Sequence, residues 1–148
     1  MHYILRYESC QAMYMRVLDM YNAALTQKEM LFQRTQPQGI QIKPDKIEGS
    51  GGSNPLEEYM IRKDELQLDR RIEEVRVMLE YRDELLQKAE RDLRASRGTW
   101  DMIYVYRYLD NRTVRWIAKK MNYSQRNIYM ILERIRRKSA KYFTRTEI

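Results

Sequence analysis

Apolar positions along this chain repeat at helical intervals over most of its length, and the breaks between the repeats are sharp. Over about residues 5–34, Tyr14, Val17, Leu18, Tyr21, Leu25, Lys28 and Phe32 fall on one stripe of a helix, with no Pro or Gly inside the run. The pattern stops at "TQPQGIQIKPDKIEGSGGSNP", which carries Pro37, Pro44 and Pro55 and four of the five glycines, and in which nothing periodic survives. That composition predicts a mobile linker. Its Ser-Asn-Pro end predicts a helix start, with Asn54 as N-cap and Pro55 at the first helical position.

From Leu56 to about Ser96 there is no breaker. Leu68, Ile72, Val75, Leu79, Leu86, Ala89 and Leu93 follow the alternating 4- and 3-residue spacing of a heptad seam, interrupted by Arg82. Charged residues fill the other faces, as a coiled-coil arm requires. A helix of that length would extend about 60 Å. One narrow stripe cannot bury itself, so the seam needs a partner: the first helix folding back antiparallel, a second copy of the chain as a homodimer, or both. Gly98 is expected to end this helix.

Three shorter helical runs follow. Thr99 is expected to cap "WDMIYVYRYLDN", Asp110-Asn111 to turn the chain, Thr113 to cap "VRWIAKKM", and Ser124 to cap "QRNIYMILERIRRKSAKYF" after a turn at Asn122-Tyr123. The fold class expected is therefore all-α: a coiled-coil arm, made of an N-terminal helix (1–34) and a long central helix (56–97) joined by a linker (35–55), and then a trihelical helix-turn-helix domain (98–148).

The last two runs meet the steric demands of a helix-turn-helix. Ala118 is the small residue where the second helix crosses the first. Four residues on, Asn122 tolerates a positive φ. Six residues further, Ile128 supplies the branched apolar plug, and Val114, Ile117, Met121, Ile131 and Ile135 complete the inner face at 3- and 4-residue intervals.

Charge sharpens this picture. The chain of 148 residues is 43% apolar and 33% charged, with a net charge of +7. Residues 98–148 hold 12 Lys and Arg against 4 Asp and Glu, a balance of +8, while residues 1–97 hold the other 16 and 17, a balance of −1. Concentrating the whole excess in the last third points to a polyanion partner for that segment, because neutralising phosphates releases counterions. Double-stranded DNA is the expected partner. Ser124, Gln125, Arg126, Asn127, Tyr129 and Met130 lie near the start of the last helix, the part that enters the major groove in this motif, and are the candidate base-reading residues. Arg112, Lys119, Lys120, Arg134, Arg137 and Lys138 are the candidate phosphate contacts, which set register without specifying sequence.

Other chemistries find little support. His2 and Cys10 are the only residues of their types and neither has a companion base, so a zinc site lacks ligands. "GSGG" sits in the linker, follows no strand and lacks the lysine of a phosphate-cradling loop. Carboxylates on the arm are interleaved with Lys and Arg, as on a solvated face. No enzyme activity, cofactor or metal is expected. No apolar run approaches the ~18 residues of a membrane span, "MHYILRYESC" is too short in apolar residues for a signal peptide, and a single Cys fits a reducing compartment. A soluble, cytoplasmic protein is the expectation.

"YVYRYLDNRTVRWIAKKMNYSQRNIYMILERIRRK" resembles region 4 of the sigma-70 family, the trihelical module that recognises promoter −35 elements. The whole chain resembles small phage transcriptional regulators of the ArpU/RinA type, in which a helical arm and a Gly/Pro linker precede such a module; "GSGGSNPLEEYMIRKDELQ" stands at the linker-to-arm junction. The likeness covers roughly residues 49–142. It implies activation of phage or prophage genes, late ones among them, inside a bacterial host cell, with host RNA polymerase as a further partner. Gln125 and Arg126 stand where sigma region 4 usually has Arg and Glu after the capping Ser, and Asn122 replaces its turn Gly, so the −35 preference does not carry over. Two alternatives remain: a sigma-like polymerase subunit, for which the acidic arm lacks a cluster of promoter-melting aromatics, and a small-terminase-like DNA-packaging protein, which usually places its DNA module first.

Overall fold

The computed structural model describes residues 1–35 and 55–146. The chain is all-α. Helices α1 (His2–Thr35) and α2 (Pro55–Ala95) are followed by α3 (Thr99–Tyr104), which runs directly into a five-residue π-helical turn (Val105–Leu109), then α4 (Val114–Met121) and α5 (Gln125–Thr146). Pro55 opens α2 as its spacing predicts; Asn54 and the linker lie outside the described residues. Two compact units emerge, one of Met1–Tyr14 with Arg82–Ile148 and one of Met15–Tyr81.

In the second unit α1 packs antiparallel on α2 within the chain. Lys28 Nζ pairs with Asp69 at 2.8 Å, and the Arg76 guanidinium lies near Tyr21, so numbers fall on one helix as they rise on the other. Val17, Ala24 and Val75 are buried, with Tyr21, Leu31, Leu68, Ile72 and Leu79 half-buried beside them. The apolar stripe expected on α1 is thus rotated by a fraction of a turn: Ala24 is 3% exposed, whereas Leu25 is 39% and Phe32 60% exposed. The observed seam (Tyr14, Val17, Tyr21, Ala24, Lys28, Leu31) keeps the 3- and 4-residue intervals of a heptad, with Ala24 and Leu31 in place of their neighbours Leu25 and Phe32. Arg76 clasps Glu73 and Glu80 on its own helix, as exposed i, i+3 and i, i+4 pairs do.

The first unit has two adjoining cores. One gathers Ile103, Val114, Ile117, Ala118, Ile128 and Leu132, with Tyr106, Met121 and Ile131 packed against it. The other gathers Ile4, Leu93, Tyr104, Val105 and Ile135, with Tyr7, Trp100 and Leu109 alongside. The beginning of α1 and the end of α2 are therefore built into the same core as α3 and α5. Polar contacts reinforce the join. Glu8 accepts from the Tyr104 hydroxyl at 3.1 Å and from Ser139 Oγ, so one carboxylate from α1 ties α3 to α5. Burial, and then the Glu8 charge, push the Tyr104 phenol well above its ordinary pKa. Arg6 meets Asp92 at 3.2 Å, and Arg94 bridges Glu90 to Asp110 in the turn after the π-helical segment.

Two expected caps move. Helix α2 ends at Ala95, and Gly98 is not its left-handed terminator: its φ is −65° and it is the N-cap of α3, with Thr99 already inside the helix. A Cβ on Gly98 would lie 3.0 Å from Asp101 Oδ2, so space rather than φ favours glycine there. That Asp101 oxygen is occupied, accepting from Ser96 Oγ at 2.6 Å. The turn at Asp110-Asn111 forms as expected, with Asn111 at φ 52° and the Asp110 N–H donating to Val105 O across the π turn.

Candidate nucleic-acid interface

Helix α4 starts where Thr113 Oγ1 accepts from the Trp116 N–H at 3.2 Å, and α5 starts where Ser124 Oγ accepts from the Asn127 N–H at 3.2 Å. Both oxygens satisfy amides that a helix start leaves orphaned. Between them Asn122 takes φ 57° and ψ 42°, and the Tyr123 N–H returns to Ala118 O at 2.9 Å. This left-handed residue swings the chain so that Ala118 (5% exposed) and Ile128 (0% exposed) meet in the core. Asn visits this conformation at lower cost than a branched residue because its short amide bonds locally. The helix-turn-helix geometry expected from Ala118, Asn122 and Ile128 is present.

The buried residues of α5 (Ile128, Leu132, Ile135 and Ser139) occupy one side of the helix. Arg126, Tyr129, Met130, Glu133, Arg134 and Arg137 face away from that side and, with Gln125 at the start of the helix, line an open groove of about 620 Å³. Four of the six candidate base-reading residues are thus brought together. Ser124 is exposed but its oxygen serves the cap, and Asn127 is exposed but does not line this groove.

The candidate phosphate contacts fall into two groups. Lys119, Lys120 and Arg134 are exposed and, among the described residues, have no ion-pair partner; the same holds for Arg126. The other three are engaged. The Arg112 guanidinium lies over the Trp116 ring at 5.0 Å, Trp116 itself meeting Tyr106 edge-on at 5.2 Å. Lys138 Nζ lies over the Trp100 ring at 4.7 Å, which turns it toward α3. Arg137 Nε donates to Glu133 at 2.9 Å, and Arg136 donates to both oxygens of the same carboxylate at 2.9 Å. Hydrogen bonds from Arg136 and Arg137 hold the Glu133 carboxyl down at about 2. The sequence already carried this pairing, since Glu133 precedes its partners by three and four residues, a spacing that makes neighbours on a helix.

Among the described residues no cluster of His, Cys, Asp and Glu could hold a metal ion, and no helix is long and apolar enough to cross a membrane. Comparison with protein-family models, with curated proteins and with solved structures finds no match.

Proposed function

We propose that this chain is a sequence-specific, double-stranded DNA-binding transcriptional regulator that lays the start of α5 in the major groove. The observation that carries the reading is a set of exposed cations without an ion-pair partner among the described residues, Arg126 and Arg134 on the outward face of α5 and Lys119 and Lys120 in the last turn of α4, on two capped helices joined by a left-handed turn. An unpaired guanidinium or ammonium on a rigid scaffold costs little reorganisation when it meets a phosphate, and each phosphate neutralised releases counterions. Gln125 and Arg126, in the first turn of α5, are the side chains of the kinds that pair bidentately with adenine and guanine. Lys119 and Lys120, at the end of α4, serve register. The likeness to ArpU/RinA-type regulators extends the proposal to activation of phage or prophage late genes in a bacterial cytoplasm, with host RNA polymerase as partner and no cofactor.

Fluorescence anisotropy of the full chain with a random-sequence DNA duplex tests the first step. Non-specific binding with Kd on the order of 10⁻⁴–10⁻⁶ M near physiological salt, tightening as salt falls, is expected. Selection from a random duplex library should then yield a preferred site bound about 10³-fold or more tightly. No binding to any duplex at low ionic strength would refute the proposal. Sedimentation separates it from a packaging protein, which assembles as a ring of many copies.

A further inference from the structure

We infer that Tyr129 and Met130 read the C5-methyl group of thymine, so that a thymine is part of the sequence this protein selects. The inference rests on the major-groove reading of α5 and goes one step further, to the chemistry of the base edge recognised.

Tyr129 is 60% and Met130 45% exposed, in the second turn of α5. They project from the same outward face as Arg126 and, with Gln125, line the same groove. Around the helix Met130 lies about 40° from Arg126 on one side and Tyr129 about 60° on the other, so the two flank the guanidinium. These are two large apolar groups in the middle of the most cationic third of the chain, 12 Lys and Arg against 4 Asp and Glu. Phosphates suit neither the Met130 chain nor the Tyr129 ring, because burying an apolar group against a charged oxygen desolvates the oxygen without replacing its hydrogen bonds; only the Tyr129 hydroxyl is equipped to serve a phosphate. The edges of the base pairs in the major groove present donors and acceptors with one apolar exception, the thymine methyl. Met suits that contact because its thioether chain adapts to the surface it meets, and the Tyr ring packs on the methyl while its hydroxyl stays at the wet rim. The cations supply the attraction that brings a duplex to this face: Arg134 lies one turn beyond Met130, and Lys119 and Lys120 close the preceding helix.

The test uses the full chain and the duplex chosen by selection from a random library. Each thymine of that duplex is replaced in turn by deoxyuridine, which differs only by the methyl group, and Kd is measured by anisotropy. At one or two positions the replacement should weaken binding about fourfold per methyl withdrawn, the worth of one buried methylene-sized group. Tyr129→Ala and Met130→Ala should bring the thymine-to-deoxyuridine ratio at those positions toward one, with helical content by circular dichroism unchanged because both side chains are exposed. If deoxyuridine is tolerated everywhere, or the variants keep the full ratio, the inference is wrong while the major-groove reading stands. A selected site without thymine has the same meaning. Failure to bind any duplex removes both.

Discussion

Glu133→Gln should tighten binding to duplex DNA of any sequence. The Glu133 carboxylate accepts from both Arg136 and Arg137 at 2.9 Å, so these three groups together carry a single positive charge on a face otherwise free of acids. A Gln of the same shape keeps the helix and leaves two. With a slope near −0.9 in log K against log salt for each phosphate neutralised, one more available cation should steepen the slope by about 0.9. Across a fourfold change of salt, for example from about 50 to about 200 mM, that amounts to roughly a 3.5-fold larger change in affinity. Fluorescence anisotropy over a salt series, wild type beside variant on the same random duplex, reads the slope directly. An unchanged or shallower slope would refute the idea that Glu133 restrains Arg136 and Arg137. The effect should not vary with pH between about 5 and 8. Because the carboxyl is depressed to about 2 in the folded chain from an ordinary value of 4.5, its ion pairs are complete above that ordinary value and are lost only as pH falls toward 2. Stability should hardly move, since exposed pairs of this kind contribute little.

Changing Lys119, Lys120 or Arg134 to Ala should each flatten the salt slope by about 0.9, whereas Lys138→Ala, whose ammonium lies over Trp100, should change it less; equal slopes for all four would contradict the division into engaged and unpaired cations. Ile128→Ala opens a hole among fully buried residues and should cost about 2–5 kcal/mol, read as a fall in the urea midpoint at constant m-value, and a loss below about 1 kcal/mol would mean that the plug does not hold α4 to α5. Asn122→Val places a branched residue at φ 57° and should cost about 1–2 kcal/mol, while Asn122→Gly should be neutral or nearly so; comparable losses for both would show that the side-chain amide, not the backbone conformation, is what matters. Glu8→Ala should destabilise by about 1–3 kcal/mol, since it strips the Tyr104 hydroxyl of its acceptor in a half-buried site and releases Ser139; thermal unfolding checks it, and an unchanged Tm would dismiss Glu8 as a tie between α1 and the other helices.

Much of the candidate site was open to view in the linear chain because it is made of short-range relations. Thr113 reaches Trp116 and Ser124 reaches Asn127, each three residues on, and Asn122 turns the chain by its own φ. Ala118 and Ile128 are ten residues apart, close enough that the turn between them leaves one way to pack. Helix bounds came out within a few residues for the same reason: periodicity and breakers act over a turn or two. Gly98 departs from the terminator role its position suggests because two uses of glycine, a left-handed φ and room for a neighbour, look alike in a sequence until Asp101 is folded against it.

What the amino-acid order determined by itself is the set of helices, the turn that joins α4 to α5, and the gathering of cationic charge in the last third. These depend on contacts within a few residues, where chain connectivity leaves little choice. Tertiary structure alone decided that Ile4 is sealed beside Leu93 and Ile135, that Glu8 reaches Tyr104 and Ser139 across 96 and 131 residues, that Lys138 turns to Trp100, and which edge of α1 faces α2. A heptad stripe states that a helix must bury one side, and only the packing of whole helices, with the loop-closure entropy that opposes it, selects what that side is buried against.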